Sequence, residues 1–325
     1  MLLAACLARE GPMGAGGAVL PSAQPAATGQ ATAAAPAGPP PGATYLGSQV
    51  CQACHQQQFA AFAETLMGKI FLKNPRFPLE ARGCESCHGP GSQHLQDPAN
   101  PTFNIRFTKK SPLTATQKNA VCLQCHQRGQ RILWAGSPHE SRDLACVTCH
   151  SVHAGSEKRL LKIVKPDQFD SRGLPMDVLQ YNLCGQCHQV RDMQFQRSSH
   201  MPLKEGKLTC TSCHNPHGTS TEKLIREIST NELCTRCHAD KRGPFLWEHP
   251  PVLESCLNCH QPHGSNNAPL LRMKLPRLCQ QCHVATFHRT NPYPQTERRV
   301  FNRSCENCHS QIHGSNHPSG VFFHR

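Results

Sequence analysis

One pentapeptide constrains this chain more than anything else in it. Cys-x-x-Cys-His occurs ten times and takes up twenty of the twenty-one cysteines. In order along the chain the thiols of the first five motifs are Cys51 and Cys54, Cys84 and Cys87, Cys122 and Cys125, Cys146 and Cys149, Cys184 and Cys187. The last five carry Cys210 and Cys213, Cys234 and Cys237, Cys256 and Cys259, Cys279 and Cys282, Cys305 and Cys308. Two thiols at this spacing with an imidazole directly after them are what covalent attachment of haem c requires. The thiols add to the two porphyrin vinyl groups and the following His becomes the proximal iron ligand. Those ligands are His55, His88, His126, His150, His188, His214, His238, His260, His283 and His309.

Zinc ribbons built from pairs of Cys-x-x-Cys, structural disulfides and thioredoxin-like redox pairs would also use such thiols. None of them needs a His after the second Cys in all ten copies. His is 21 of 325 residues, so chance does not place it there ten times over. The pattern therefore implies ten covalently attached haems and electron transfer between closely held irons.

The composition agrees. Only 6% of residues are aromatic, and the mean hydropathy is −0.50. A chain of this length ordinarily needs a richer apolar core. With about 33 residues per haem, the porphyrins must supply much of the buried apolar surface. The expected fold is a multihaem cytochrome c: mostly coil with short α-helices, little or no β-structure, and an extended quasi-linear haem array. The formal net charge of +13 suggests nucleic acid at first sight. Ten haems, however, bring about twenty propionate charges, and Lys and Arg are natural partners for those carboxylates. No aromatic-interleaved basic stretch supports a nucleic-acid role.

Residues 1–43 are rich in Ala, Pro and Gly and carry only Arg9 and Glu10 as charges. They read as a flexible leader or tether. Leu3-Ala4-Ala5-Cys6 has the form of a lipoprotein cleavage box, but no charged and apolar signal region precedes it. Either the true start lies upstream or the box is accidental. From residue 44 to the end the motifs group into two-haem repeats over 44–100, 114–155, 178–218, 229–264 and 276–317. Such units are expected to stack on their neighbours. Thr114 with Gln117 and Ser229 with Glu232 have capping-box spacing ahead of Cys122 and Cys234. Ser48 is placed to cap the helix carrying Cys51, and Phe59, Phe62 and Leu66 would pack on a porphyrin face.

Ten haems need ten distal ligands if no iron is to stay open. From the third motif on, each unit adds an isolated His (His139, His200, His249, His288) and a trailing His soon after its second motif (His153, His217, His263, His313). With His94, these are the distal candidates. A trailing His three or four residues past a proximal ligand lies on the same side of its own haem, so it should ligate a neighbouring one. The first unit has no isolated His; Met67 stands in the corresponding stretch. Met67 and His317 are the candidates for the tenth place, a thioether being the other common axial ligand. His324 looks too close to the end to matter.

The span from residue 44 onward resembles the MtrA/DmsE-type decahaem cytochromes c, with their PioA and MtoA relatives. The resemblance is carried by Gly83-Cys84-Glu85-Ser86-Cys87-His88-Gly89-Pro90-Gly91-Ser92 with His94, by the repeated Cys-His-x-Pro-His-Gly segments, and by the closing stretch from Cys308 to Gly320. It implies a periplasmic protein associated with the outer membrane. There it would sit in a partner outer-membrane β-barrel porin and carry electrons between periplasmic or inner-membrane cytochromes and an extracellular multihaem cytochrome, reductase, metal or iron(II). A soluble periplasmic shuttle feeding a reductase would use the same haems. A multihaem enzyme needs an open iron or a variant motif, and all ten motifs end in His.

Overall fold

A computed structural model describes residues 40–153, 160–162, 179–283 and 304–324. Cys6 and His288 lie outside these residues. Among the described residues there are short helices, 3₁₀ turns and loops, with isolated antiparallel bridges and no strand. This is the coil-and-short-helix architecture expected from the composition. The opening segment holds α1 (Ser48–Cys54), α2 (Gln56–Glu64), α3 (Leu66–Lys73), α4 (Pro78–Ala81), α5 (Glu85–His88) and α6 (Ser92–Gln96), followed by α7 (Ala115–Leu123).

The local chemistry explains where these helices start. Thr114 and Gln117 form a reciprocal capping box at the head of α7. Ser229 accepts from the Glu232 N–H and starts the short helix Thr230–Thr235 that carries Cys234. Ser48 departs from expectation. Gly47 is the cap of α1, and the Ser48 hydroxyl instead accepts from the backbone N–H of Cys84, 3.1 Å away. It ties the first motif to the second rather than ending a helix.

Apolar packing is sparse. The buried hydrophobic side chains among the described residues are Phe62, Ala120, Val121, Trp134, Phe195, Leu203 and Leu271. So small a set cannot hold this length of chain compact by area burial. Phe62 packs edge-on against Phe71, while Leu66 is 76% exposed and so open to a porphyrin face.

Successive units are locked by their backbones. The Gly after three trailing His residues has positive φ: Gly218 (117°), Gly264 (141°) and Gly314 (132°). A Cβ at these positions would lie 2.0 Å from the Leu133 carbonyl oxygen, 2.1 Å from that of Gln194 and 2.1 Å from the Phe245 ring. Each contacted residue belongs to the preceding unit, four to six positions ahead of its isolated His, so only Gly permits the approach. Two-residue bridges, Ser199 with Ser265 and Trp247 with Ser315, close the same junctions.

Candidate haem sites and their axial ligands

All twenty motif cysteines are free, and among the described residues no cluster of three or more Cys, His, Asp or Glu could hold a metal ion. Neither disulfides nor four-thiolate zinc sites are built. The thiols meet in pairs instead. Cys51 lies in hydrogen-bonding reach of Cys84, Cys122 of Cys146, Cys184 of Cys210, Cys234 of Cys256, and Cys279 of Cys305. These pair the first thiols of motifs one and two, three and four, and so on. The second thiols make the intervening links: Cys87 with Cys125, Cys149 with Cys187, Cys213 with Cys237, and Cys259 with Cys282. The ten sites are therefore neighbours in sequence order without a break. Burial pushes the Cys51 and Cys87 thiols up to about 11, so both stay protonated at neutral pH.

The imidazoles form a second pattern. Seven proximal His rings each face one other His ring at 6.0 to 6.4 Å between centroids. His55 faces His94 at 6.3 Å, His88 faces His153 at 6.4 Å, and His150 faces His217 at 6.0 Å. His188 faces His139 at 6.1 Å, and His214 faces His263 at 6.2 Å. His260 faces His313 at 6.1 Å, and His283 faces His249 at 6.2 Å. Two imidazoles bound to one metal through bonds of roughly 2 Å have ring centres about 6 Å apart. The gap is that of an iron.

The outward nitrogens support the same chemistry. Nδ1–H of His88 donates to the Ile105 carbonyl (2.7 Å), His214 to Lys223 (2.8 Å), His260 to Pro269 (3.0 Å) and His309 to Phe322 (2.6 Å). On the distal side His139 donates to Pro216 (2.8 Å), His153 to Gln58 (3.2 Å) and His249 to Ile312 (3.1 Å). A carbonyl on Nδ1 fixes the proton there and leaves Nε2 as the free lone pair, as metal-bound His requires. Burial also holds His217 and His263 down at about 4, which keeps them neutral and able to ligate. A continuous cavity of about 2960 Å³ runs past all six motifs from Cys184 to Cys308, lined by their proximal His and by every one of their cysteines but Cys187. The Trp134 indole N–H is buried without a protein partner beside His217. It is a donor suited to a haem carboxylate. The residues fit haem c.

Two proximal ligands, His126 and His238, have no described imidazole ring at that separation. The His200 Nδ1 bonds the Arg197 carbonyl, and its Nε2 meets Glu205 at 3.0 Å. His317 accepts the Ser319 N–H on Nδ1, which leaves its proton on Nε2. His324, set aside on position alone, lies with its ring 4.6 Å from His309 and lines the cavity. That is closer than the other seven pairs. Glu85 was missed altogether. Buried within the second motif, its carboxylate accepts from the N–H groups of Leu46, Gly47 and Gly91 at 2.8 to 3.1 Å and clamps the strand of chain ahead of α1. The buried-acid role is invisible in sequence because its partners are backbone amides.

Short helices, repeated attachment motifs and facing imidazoles define a multihaem cytochrome c. The doubled CXXCH motif family matches residues 200–243 and 249–287, and the NrfB-like c-type cytochrome family matches residues 84–170. Multiheme cytochrome MtrA of Shewanella baltica (strain OS185) is 41% identical over 290 residues, covering 86% of this chain and 81% of that protein. The chain belongs to the MtrA-type multihaem cytochromes, which makes it an electron-transfer protein carrying covalent haem c.

Proposed function

We propose that this chain carries ten haems and conducts electrons along their full sequence. In this reading it sits in a partner outer-membrane β-barrel porin and links periplasmic electron carriers to the cell exterior. The observation that carries the reading is the unbroken succession of neighbouring thiols from Cys51 to Cys305, in hydrogen-bonding reach within each pair of motifs and near enough to interact electrostatically from one pair to the next. The haem supplies the redox change at iron. The polypeptide would hold each iron between two side-chain ligands, so an electron passes without ligand exchange or proton uptake.

The ligand assignments follow the seven facing pairs. Trailing His residues reach back two motifs: His153 to the haem of His88, His217 to that of His150, His263 to that of His214, and His313 to that of His260. Isolated His residues reach forward two motifs: His139 to the haem of His188, and His249 to that of His283. Six interior haems are thereby bolted to a neighbouring unit, which replaces the missing apolar core as the source of cohesion. By the same register His200, swung off Glu205, serves the haem of His238. At the first haem, where nothing lies further upstream, His94 closes the iron.

Among the described residues no helix is long and apolar enough to cross a membrane. A path across a bilayer through this chain therefore needs a sheath from a partner. Reconstitution with a candidate barrel in liposomes holding an internal redox dye tests the conduit. External dithionite or iron(II) should change the dye only when both proteins are present. Dye that stays unchanged with a verified complex returns the chain to a soluble periplasmic shuttle, and a haem assay well short of ten refutes the count.

A further inference from the structure

We infer that Met67 is the sixth ligand of the haem attached at Cys122, Cys125 and His126, which makes that haem the high-potential site of an otherwise bis-His chain. The inference rests on the reading above that each motif carries a haem.

Met67 occupies, feature by feature, the place of His139, whose ring faces the proximal His188. Five residues before His139 stands Trp134, which is buried and packs against the trailing His217 with ring centres 6.2 Å apart and planes at 58°. Five residues before Met67 stands Phe62, which is buried and packs against the trailing His153 at 6.0 Å and 58°. Two residues before His139 the buried Ser137 receives the Glu140 N–H on its hydroxyl at 3.2 Å, and its own N–H reaches the Trp134 carbonyl at 3.0 Å. Two residues before Met67 the buried Thr65 receives the Gly68 N–H at 2.9 Å, and its own N–H reaches the Phe62 carbonyl at 2.9 Å. Aromatic residue, hydroxyl and ligand recur at identical spacing with identical bonds.

The target haem follows from the register. His139, between the third and fourth motifs, faces His188 of the fifth; His249, between the seventh and eighth, faces His283 of the ninth. Met67 lies between the first and second motifs, so its haem is that of the third. Two electrostatic neighbours of Cys125 agree with that placement. Arg76, at the α3–α4 corner, is close enough to Cys125 for the two to interact electrostatically. Cys87 of the second motif likewise lies beside Cys125. Among the described residues no imidazole ring faces His126.

A thioether is a softer, weaker donor than imidazole and favours iron(II), so this haem holds an electron in preference to its neighbours. The third site from the amino-terminal end then acts as the resting place for the first electron to enter the chain.

The test uses the intact holoprotein with its haem content measured on the same sample. Fully oxidised wild type should show the near-infrared methionine–iron band at the intensity of one haem. Met67→His should abolish it and move the first-reduced step, about a tenth of the haem absorbance, into the range of the remaining haems. Met67→Ala should create one haem that binds carbon monoxide, and Leu66→Ala, altering an exposed neighbour, should change none of these. Absence of the band in wild type overturns the assignment, and so does its survival in Met67→His, in which case Met201, which lines the cavity, is the methionine to examine. A haem count short of ten defeats the conduit reading alone, since a band lost in Met67→His still establishes the ligand.

Discussion

Substituting His217 by Ala separates a ligand that serves a distant haem from one that serves its own. His217 follows the proximal His214 by three residues, yet its ring stands 6.0 Å from His150, sixty-seven residues upstream. An iron midway between those rings lies half of 6.0 Å, about 3 Å, from each ring centre. Truncation to Ala removes the whole ring and opens a space that admits carbon monoxide. One haem in about ten should become five-coordinate and high-spin, with the rest unchanged, because His214 keeps His263 at 6.2 Å. Electron paramagnetic resonance of the oxidised protein and carbon monoxide titration of the reduced protein both read this fraction. The location comes from a second background in which Cys146, Cys149 and His150 are replaced so that this haem is never attached. There His217→Ala should add no carbon monoxide site. A new site appearing in that background would place His217 on another haem and refute the backward reach of the trailing ligands.

Three further outcomes follow from particular contacts. Glu85→Ala strips three backbone amides of a charged acceptor, which should destabilise the amino-terminal segment by about 2–4 kcal/mol, seen as a lower thermal midpoint of the holoprotein. Gly264→Ala forces a Cβ to within 2.1 Å of the Gln194 carbonyl at φ 141°; it should cost at least about 2 kcal/mol and lower the haem yield, whereas Gly89→Ala, with open space around it, should cost less. The Arg76 guanidinium hydrogen-bonds the Glu80 carboxyl and holds it below the usual carboxylate range. That contribution is complete above the ordinary carboxylate pKa and is lost as pH falls through the depressed folded value. Arg76→Gln should therefore unfold at higher pH than wild type on acid titration, with the curves converging once the carboxyl is protonated in both states. Coincident acid midpoints would sink this.

The cofactor chemistry and the coil-rich architecture were legible in the sequence because attachment is a local event: two thiols and one imidazole within five residues need no tertiary partner to be recognised. The caps at Thr114 and Ser229 were legible for the same reason. The pairing of distal ligands was not, because it depends on which segments the backbone brings together. His153, His217, His263 and His313 read as unable to ligate their own haems, but their placement against proximal rings two motifs upstream goes with glycine-mediated contacts such as Gly218 against Leu133. Ser48 and Glu85 act through backbone amides some forty residues away and carry no sequence signature.

What the chain determines by itself is thus the number and spacing of attachment sites and the supply of nitrogen and sulfur donors. Which donor closes which iron was left to the tertiary structure. On the proposed ligation most axial pairs join residues from different units, and only the stacking of those units puts them on opposite faces of the same metal.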